Sequence, residues 1–144
     1  MRILVINGPN LNLLGLREPE IYGSATYEDL VNYIETAAAK LDIIVECFQS
    51  NHEGAIIDKI HDAFRRKDGI VINPGAYAHT SIAIMDAILS ISLPAVEVHI
   101  SNIMEREEFR HFSYVSLACV KTIFGQGIAG YVEALEYLKN NCCS

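Results

Sequence analysis

The chain has 144 residues, 51% of them apolar and 20% charged, which predicts one folded domain with a sizeable core and excludes a disordered chain. Its 11 Lys and Arg residues against 18 Asp and Glu residues give a formal charge of −7 without any basic run, which argues against nucleic acid or an anionic membrane surface as a partner. No uninterrupted apolar stretch approaches the roughly 18 residues that a membrane-spanning helix needs.

Strand-like and helix-like segments alternate along the chain. In chain order, we predict strand one at 2–6, a helix at 26–41, strand two at 43–48, a helix at 54–66, strand three at 69–73, a helix at 80–91, strand four at 95–100, strand five at 119–124 and a helix at 128–140. The strands are short apolar runs between turn residues, and the helices carry apolar residues at helical spacing. Thr26, with Asp29 three residues later, resembles the start of a helix.

Strands that alternate with helices predict an α/β domain with a parallel sheet and right-handed crossovers. At this chain length we expect a flavodoxin-like three-layer sandwich whose five strands have the order 2-1-3-4-5. No internal repeat, low-complexity tract or linker divides the sequence, so residues 1–144 are expected to form a single domain. The connection from strand one to the first helix is much longer than the usual length of roughly 2–6 residues. Such a loop is either a mobile lid or a surface excursion, and we interpret residues 11–25 as a lid.

Polar side chains stand where three of the predicted strands end. In a doubly wound sheet, ligands bind outside the carboxyl ends of the strands, near the switch between the first and third strands. The segments at these ends are NGPN at 7–10, NPGA at 73–76 and HISN at 99–102. Each of them singly is typical of turns and helix caps. Because all three converge on one edge of the sheet, together they predict a ligand site.

The predicted lid carries Arg17 and Tyr22 between two glycines. A tyrosine hydroxyl has a pKa of about 10, and a neighbouring guanidinium would lower that pKa and favour the tyrosinate. Tyr22 is therefore a candidate base. The alternative, that Tyr22 only packs the lid against the domain, is equally compatible with the spacing.

Two histidines stand near carboxylates at the predicted ligand site. Glu97 and His99 alternate on strand four and so share a face, where the carboxylate can fix the imidazole tautomer and support its charge. His79 opens the third predicted helix and Asp86 follows seven residues later, which places both on roughly the same side. A lone strand histidine is typically a satisfied core residue, but the pairing with Glu97 favours acid–base chemistry. The histidines and Asp86 have no recognised metal-ligand spacing, so we expect no metal site.

Two arginines follow strand four. At helical spacing, Arg106 and Arg110 lie one turn apart. They either balance Glu105, Glu107 and Glu108 or reach the ligand site and bind ligand oxygens. The sequence leaves both interpretations open.

The four cysteines predict a reduced protein. Cys47 and Cys119 lie in apolar strand-like runs and are expected to be buried thiols. Cys142 and Cys143 are adjacent, with Cα atoms ~3.8 Å apart, which is too close for an unstrained disulfide, so free thiols are expected. The apolar run at 2–6 is too short for a signal peptide. These features favour a cytoplasmic protein.

Six segments of the sequence together resemble the type II 3-dehydroquinate dehydratases of the shikimate pathway. They are NGPNLNLLGLREPEIYG at 7–23, QSNHEGAIID at 49–58, INPGAYAHTSIAIMDA at 72–87, VEVHISN at 96–102, REEFRHFS at 106–113 and GQGIAGYVEAL at 125–135. The match covers most of the chain, in order and with the expected gaps. It implies a single catalytic domain of flavodoxin-like fold, assembled as a dodecamer of four trimers. It also implies dehydration of 3-dehydroquinate to 3-dehydroshikimate by anti elimination through an enolate, with no cofactor, metal or Schiff base.

The resemblance also implies roles for individual residues. Tyr22 removes the proton at C2 with Arg17 beside it, and His99, supported by Glu97, protonates the leaving C1 hydroxyl. Asn10 helps to hold a water at the enolate oxygen. The residues that would bind the substrate are Asn73 at the leaving group, the backbone amides of Ile100 and Ser101 with the Ser101 hydroxyl at the carboxylate, and His79, Asp86 and Arg110 at the ring hydroxyls. Asp86 would come from a neighbouring subunit, because residues 81–91 are apolar nearly all round and predict a helix covered by another copy.

Proteins of other functions share this fold class. A flavodoxin would carry a phosphate loop rich in Thr, Ser and Gly after strand one, where this chain has NGPN at 7–10. A response-regulator receiver would carry an aspartate after strand three, where this chain has Asn73, and an esterase would carry G-x-S-x-G. These alternatives fit worse than the dehydratase. The resemblance leaves open whether the reaction serves aromatic biosynthesis or quinate breakdown.

Overall fold

The computed structural model describes residues 1–16 and 18–142. Within them, the strands are β1 (Arg2–Asn7), β2 (Ile44–Gln49), β3 (Gly69–Asn73), β4 (Ala95–His99) and β5 (Lys121–Phe124). The α-helices are α1 (Pro19–Tyr22), α2 (Tyr27–Lys40), α3 (Glu53–Asp62), α4 (Ile82–Ile91) and α5 (Ala129–Cys142). Short 3₁₀ turns lie at Leu11–Leu13, Gly75–His79, Ile103–Glu105, Glu108–Arg110 and Val115–Ala118.

The described strands form a parallel sheet in the order β2-β1-β3-β4-β5, which confirms the predicted topology. Successive side chains of β1 point to opposite faces, as they do along any strand. Ile3 and Val5 pack against α2 and α5, whereas Leu4 and Ile6 pack against α3 and α4. The sheet is therefore the middle layer of a three-layer sandwich. The strand order reverses at β1, and in such sheets a ligand binds at the carboxyl ends of the strands next to the reversal.

Helix α2 begins as the sequence predicts. The Thr26 hydroxyl accepts a hydrogen bond from the Asp29 amide (3.1 Å), and the Asp29 carboxylate accepts one from the Thr26 amide (3.0 Å). This is a complete capping box. It fixes the point at which the chain re-enters the domain after the predicted lid.

The predicted start of α4 is wrong. Gly75–His79 forms a 3₁₀ turn, and Ser81 caps α4 by accepting a hydrogen bond from the Ile84 amide (2.9 Å). His79 is therefore not part of the helix that carries Asp86. The seven-residue spacing of His79 and Asp86 does not place them on one helical face, because His79 lies in the 3₁₀ turn and Asp86 lies in the α-helix.

The segment interpreted as a lid has two parts. Leu11 and Leu14 are buried, so the first part is anchored in the core. Beyond them, Leu16 is 81% exposed and the single-turn helix α1 lies on the surface. Gly23 follows α1 at a φ of +81°, a conformation that glycine adopts without steric cost. Arg17 lies outside the described residues.

The described cysteines are free thiols. Cys47, Cys119 and Cys142 are only partly buried, and Cys143 lies outside the described residues. Burial raises the pKa of the Cys47 thiol to about 11 and also raises the pKa of Cys119, so both thiols keep their protons at neutral pH. Within residues 1–16 and 18–142, no helix is long and apolar enough to cross a membrane.

Candidate active site

The loops that follow β1, β3 and β4 meet at the carboxyl edge of the sheet and form a pocket. Six residues expected at a ligand site line it, namely Asn10, His79, His99, Ile100, Ser101 and Arg110. The pocket lies where the strand order reverses, which is the usual position of a ligand in an open α/β sheet.

The loops after β1 and β3 approach each other too closely for a side chain at the point of contact. The Gly8 amide donates to the carbonyl of Asn73 (2.8 Å), and a Cβ on Gly8 would lie 2.4 Å from the carbonyl oxygen of Pro74. Only glycine fits there. Asn10 follows with a φ of +70°, and its amide donates to the Asn51 side chain (3.0 Å). The backbone of Asn10 is thereby fixed at the edge of the pocket.

A buried histidine–carboxylate pair lies at the end of β4. His99 and Glu97 are 6% and 0% exposed, and His99 Nε2 lies 3.4 Å from Glu97 Oε2. The other carboxylate oxygen, Oε1, accepts a hydrogen bond from the Ser113 hydroxyl (2.6 Å). The two residues share a face of the sheet because side chains alternate along a strand, as the sequence predicts. Such a pair can fix the imidazole tautomer and stabilise its protonated form.

The His79 ring stacks beside the His99 ring. Their ring centroids are 6.2 Å apart and their planes are inclined by 20°. His79 Nδ1 donates to the carbonyl of Phe112 (2.8 Å), so Nε2 carries no proton in the neutral ring. Burial lowers the pKa of His79, and the charges of His99 and Arg110 lower it too, whereas the hydrogen bond to Phe112 and the Glu97 carboxylate oppose this shift. A neutral Nε2 can accept a hydrogen bond from a ligand hydroxyl.

Arg106 and Arg110 reach the pocket from two separate 3₁₀ turns, so the predicted one-turn spacing is wrong. Arg106 follows the turn at Ile103–Glu105, and Arg110 ends the next turn. Arg110 Nε donates to the Glu107 carboxylate (2.8 Å), and Arg106 lies 3.8 Å from Glu18 and 3.9 Å from Glu107. Both guanidinium groups therefore pair with glutamates and also line the pocket.

The loop after β4 is fixed by backbone hydrogen bonds from a turn that follows β5. The carbonyl of Ile100 accepts from the Gly127 amide (3.1 Å), and the carbonyl of Ser101 accepts from the Gly125 amide (3.0 Å). Gly125 and Gly127 have φ values of +79° and +60°, which favour glycine. Ile100 and Ser101 are thereby held in fixed positions at the pocket.

Three of the described residues expected at the site do not line the pocket of one chain, namely Asn73, Asp86 and Glu97, which lies behind His99. Asn73 is 3% exposed, and its Nδ2 donates to the Tyr131 hydroxyl (2.9 Å) while its Oδ1 accepts from the Gly75 amide (3.1 Å). Asp86 is exposed on α4 and absent from the pocket lining. In the part of the chain that the structure describes, no group of three or more His, Cys, Asp or Glu side chains could hold a metal ion.

Arg17 and Tyr22, in the segment predicted to be a lid, are the remaining expected site residues. Arg17 lies outside the described residues, and of Tyr22 only the backbone, at the end of α1, is described. The neighbouring Ile21 and Gly23 line a cleft together with Ser101 of the β4 loop. Ile21 and Gly23, in the segment predicted to be a lid, therefore border the loop that forms one side of the pocket.

Sequence reasoning missed Ser113. This residue is 5% exposed, donates to the Glu97 carboxylate and accepts a hydrogen bond from the Ser116 amide (3.1 Å). Its partner Glu97 is 16 residues away, so no local pattern connects the two. The sequence signal for Ser113 is its place in the segment at 106–113, which resembles the dehydratase family.

Comparison with known proteins gives consistent matches over nearly the whole chain. A sequence model of the family described as "Dehydroquinase class II" matches residues 1–139. The "3-dehydroquinate dehydratase" of Caldicellulosiruptor bescii is 59% identical over 139 residues, which cover 96% of each chain. The "Catabolic 3-dehydroquinase" of Verticillium alfalfae is 58% identical over 136 residues, which cover 94% of this chain and 91% of that protein. The crystal structure of a type II dehydroquinase from Butyrivibrio crossotus matches with a TM-score of 0.95 and 57% identity, covering 98% of each chain.

Proposed function

Because this chain belongs to the class II dehydroquinase family, its activity is that of a 3-dehydroquinate dehydratase, and we propose that the pocket at the carboxyl edge of the sheet carries out the reaction. The observation that carries this assignment is the buried Glu97–His99 pair. It opens on a pocket built by all three strand-end loops. Elimination of water from the substrate needs both a base and an acid, and the pair supplies the acid.

Tyr22 is the proposed base. A proton on a carbon next to a ketone is only weakly acidic, and a tyrosinate, which is a stronger base than a carboxylate, is suited to remove it. Arg17, in the same segment, supplies the positive charge that favours the tyrosinate. The C2–H bond breaks, the proton moves to the Tyr22 oxygen, and the electron pair moves onto the ketone oxygen to give an enolate. Asn10 helps to hold the water that stabilises this oxygen.

His99 is the proposed acid. When the enolate collapses, the C1–C2 double bond forms and the C1–O bond breaks, and the leaving hydroxide takes a proton from the His99 imidazolium and departs as water. Glu97, 3.4 Å from His99, stabilises the imidazolium before the transfer. The proton on Tyr22 returns to His99 before the next turnover, which balances the cycle.

The other expected site residues are proposed to bind the substrate. The backbone amides of Ile100 and Ser101 and the Ser101 hydroxyl bind the carboxylate. The neutral His79 and the Arg110 guanidinium bind the ring hydroxyls, since both line the pocket. The Nδ2 of Asn73 carries two hydrogens. One is donated to the hydroxyl of the buried Tyr131, and the other would be donated to the leaving hydroxyl and position it.

The direct test is formation of the conjugated enone from 3-dehydroquinate, followed by ultraviolet absorbance. We expect turnover without an added cofactor or metal. Borohydride in the presence of substrate should leave the activity intact, since no lysine imine forms. Absence of product would contradict the activity, whereas inactivation by borohydride would contradict the enolate route.

Ser113→Ala should lower kcat while the domain stays folded. The Glu97 carboxylate loses a charge-assisted hydrogen bond and is freer to turn away from His99. We expect kcat to fall on the order of 10-fold in steady-state assays, because small misplacements of an acid–base group are costly. Ser116→Ala is the matched control, since the Ser116 hydroxyl donates only to the Ser113 carbonyl (2.7 Å). Equal kcat values for the two variants would show that the Ser113 hydroxyl does not position the pair.

The outer side of α4 is proposed to pack against a second copy of the chain, within trimers that assemble into a dodecamer. Ile82 and Leu89 are 50% and 54% exposed, and Asp86 lies between them on the same helical stripe. Leu117, in a turn that packs beside α4, is 63% exposed and extends this apolar surface. Contact with a second copy would bury these apolar side chains and bring Asp86 to the neighbour's pocket, where it would bind ring hydroxyls.

A shared site can be tested by mixing inactive subunits. When Tyr22→Phe and Asp86→Ala chains are co-expressed, about a quarter of the sites should combine an intact Tyr22 with an intact Asp86 from the neighbour, and activity should return in that proportion. Tyr22→Phe mixed with Arg17→Ala is the matched control, because both lid residues belong to the same subunit and no mixed site is intact. Light scattering should show no stable monomer. A fully active monomer, or no recovery in the first mixture, would contradict the shared site.

The cytoplasm is the proposed location of the enzyme. The described cysteines Cys47, Cys119 and Cys142 are free thiols, and burial keeps the first two protonated. Reduced thiols are the rule in the cytoplasm. Fractionation of cells should recover the dehydratase activity with cytoplasmic markers.

A further inference from the structure

Tyr131 lies at the centre of a buried polar network beside the pocket. It belongs to α5, within the segment at 125–135, and is 0% exposed. Its hydroxyl donates to Asn7 Oδ1 (2.6 Å) and accepts from Asn73 Nδ2 (2.9 Å). Asn7 and Asn73 are the paired last residues of β1 and β3. A single hydroxyl therefore bridges the two strands at the point where two pocket loops begin.

The sequence of α5 allows this close approach. Gly130 packs directly on the sheet, where a Cβ would lie 3.2 Å from Val98 and 3.3 Å from Ile123. A larger residue at this position would push α5 away from the sheet and withdraw the Tyr131 hydroxyl. Because the ring is fully buried, the hydroxyl depends on the asparagines of β1 and β3 for its hydrogen bonds.

Asn73 transmits this constraint to the pocket loops. Its side-chain Oδ1 accepts from the Gly75 amide (3.1 Å), and its carbonyl accepts from the Gly8 amide (2.8 Å). Gly75 lines the pocket, and so does Asn10, two residues after Gly8. The Asn73 side chain, which the Tyr131 hydroxyl orients, therefore holds the loop after β3, and the Asn73 backbone carbonyl holds the loop after β1.

We propose that Tyr131 is a positioning residue for the dehydration: its hydroxyl fixes the Asn73 amide, and through it the loops at 7–10 and 73–76, in the geometry that the transition state requires. The inference rests on the proposed function for the role of Asn73 at the leaving hydroxyl. Tyr131 is not part of the pocket lining. Burial raises the pKa of the Tyr131 phenol, so this hydroxyl keeps its proton and is not a second base beside Tyr22.

Tyr131→Phe tests the hydroxyl alone. The ring still fills its space while Asn7 and Asn73 each lose a partner, so the chain should fold with a melting temperature lower by several degrees. We expect kcat to fall on the order of 10-fold and KM to change by less than about threefold, because misplaced groups weaken transition-state stabilisation more than binding. Tyr137→Phe, the same change on the same helix at a partly exposed tyrosine, should keep the wild-type kcat.

A double-mutant cycle tests whether Asn73 transmits the effect. If it does, Tyr131→Phe should change the kcat of the Asn73→Ala variant by less than about twofold. If the two single effects on kcat multiply in the double variant, Asn73 does not transmit the effect and the proposal is overturned. A wild-type kcat in folded Tyr131→Phe would overturn it as well. Should Tyr131→Phe not fold, Asn7→Leu removes the acceptor of the Tyr131 hydroxyl at similar volume, and the same fall in kcat is expected. An unchanged kcat in Asn7→Leu would overturn the proposal in that case.

The unmodified enzyme separates failure of this inference from failure of the proposed function. It is measured in the same enone assay as the variants. If it is inactive, the proposed function fails. If it is active and Tyr131→Phe has the same kcat, only the role of Tyr131 is contradicted.

Discussion

Replacement of Tyr22 by phenylalanine is expected to abolish dehydration and leave the domain folded. The variant keeps the aromatic ring and loses the oxygen that would accept the C2 proton. General-base catalysis accelerates a reaction by roughly 10²–10⁴-fold, so we expect kcat to fall by a factor within this range or larger. Tyr22 ends the four-residue helix α1, and residues 19–21 and 23 around it are exposed. The Phe side chain also keeps the shape of the ring, so the domain should stay folded. Steady-state assays measure kcat, and circular dichroism at equal protein concentration shows whether the domain is folded.

The matched control for this variant is Tyr33→Phe. Tyr33 lies on α2, away from the pocket lining, and loses the same oxygen. It should retain the wild-type kcat. If Tyr22→Phe also turned over at close to the wild-type rate, another group would have to remove the proton, and the assignment of the base would be wrong.

Arg17→Ala should show a smaller loss with a distinct pH dependence. Loss of the guanidinium removes the charge that favours the tyrosinate, and we expect kcat to fall by about 10²-fold near neutral pH. Because Tyr22 remains, part of this loss should be recovered as the pH rises and more of the phenol ionises. A loss that is the same at every pH would assign Arg17 to substrate binding instead.

Replacement of His99 by alanine should prevent loss of the C1 hydroxyl. Without an acid, hydroxide must leave unprotonated, and kcat should fall by roughly 10²–10⁴-fold. Removal of the C2 proton precedes this step, so exchange of that proton with deuterated solvent should persist and can be followed by NMR. Glu97 is fully buried and loses its imidazole partner, so the free energy of unfolding should fall by about 1–3 kcal/mol. The His99→Ala variant should therefore be assayed well below its melting temperature.

His61→Ala serves as the control for the His99 variant. His61 lies on α3 and is exposed, and it does not line the pocket. Its replacement should change neither kcat nor the exchange of the C2 proton. Retention of full dehydration by His99→Ala would show that a different group protonates the leaving hydroxyl.

Local rules made much of the fold predictable. Strand β3 occupies the predicted residues 69–73, because a wholly apolar run that ends in Asn-Pro is typical of a buried strand followed by a turn. The start of α2 was predictable because Thr26 and Asp29 bond to each other's backbone within one turn. The start of α4 was not, because the residues before Ser81 suit either a helix or the 3₁₀ turn Gly75–His79, and packing against the β1 loop selects the turn.

Part of the candidate site was also predictable for local reasons. Glu97 and His99 share a face because strand side chains alternate, and the carboxyl ends of parallel strands meet at one edge. The positions of Arg106 and Arg110 were not predictable, because the segment after β4 breaks into two 3₁₀ turns instead of one helix. In such short turns the regular i, i+4 relation that places side chains on a helical face does not apply.

Tertiary structure alone decided which distant groups meet. Ser113 is 16 residues from Glu97, and Tyr131 is 58 residues from Asn73 and 124 from Asn7. No periodicity connects residues at such separations, since the strand and helix repeats fix only the face on which a side chain lies. The sequence by itself determined the fold, the sheet edge that carries the pocket and its histidine–carboxylate pair. The packing of distant elements decided which hydroxyls hold that pair and the pocket loops in place, because only close packing of the layers brings those hydroxyls within hydrogen-bonding distance.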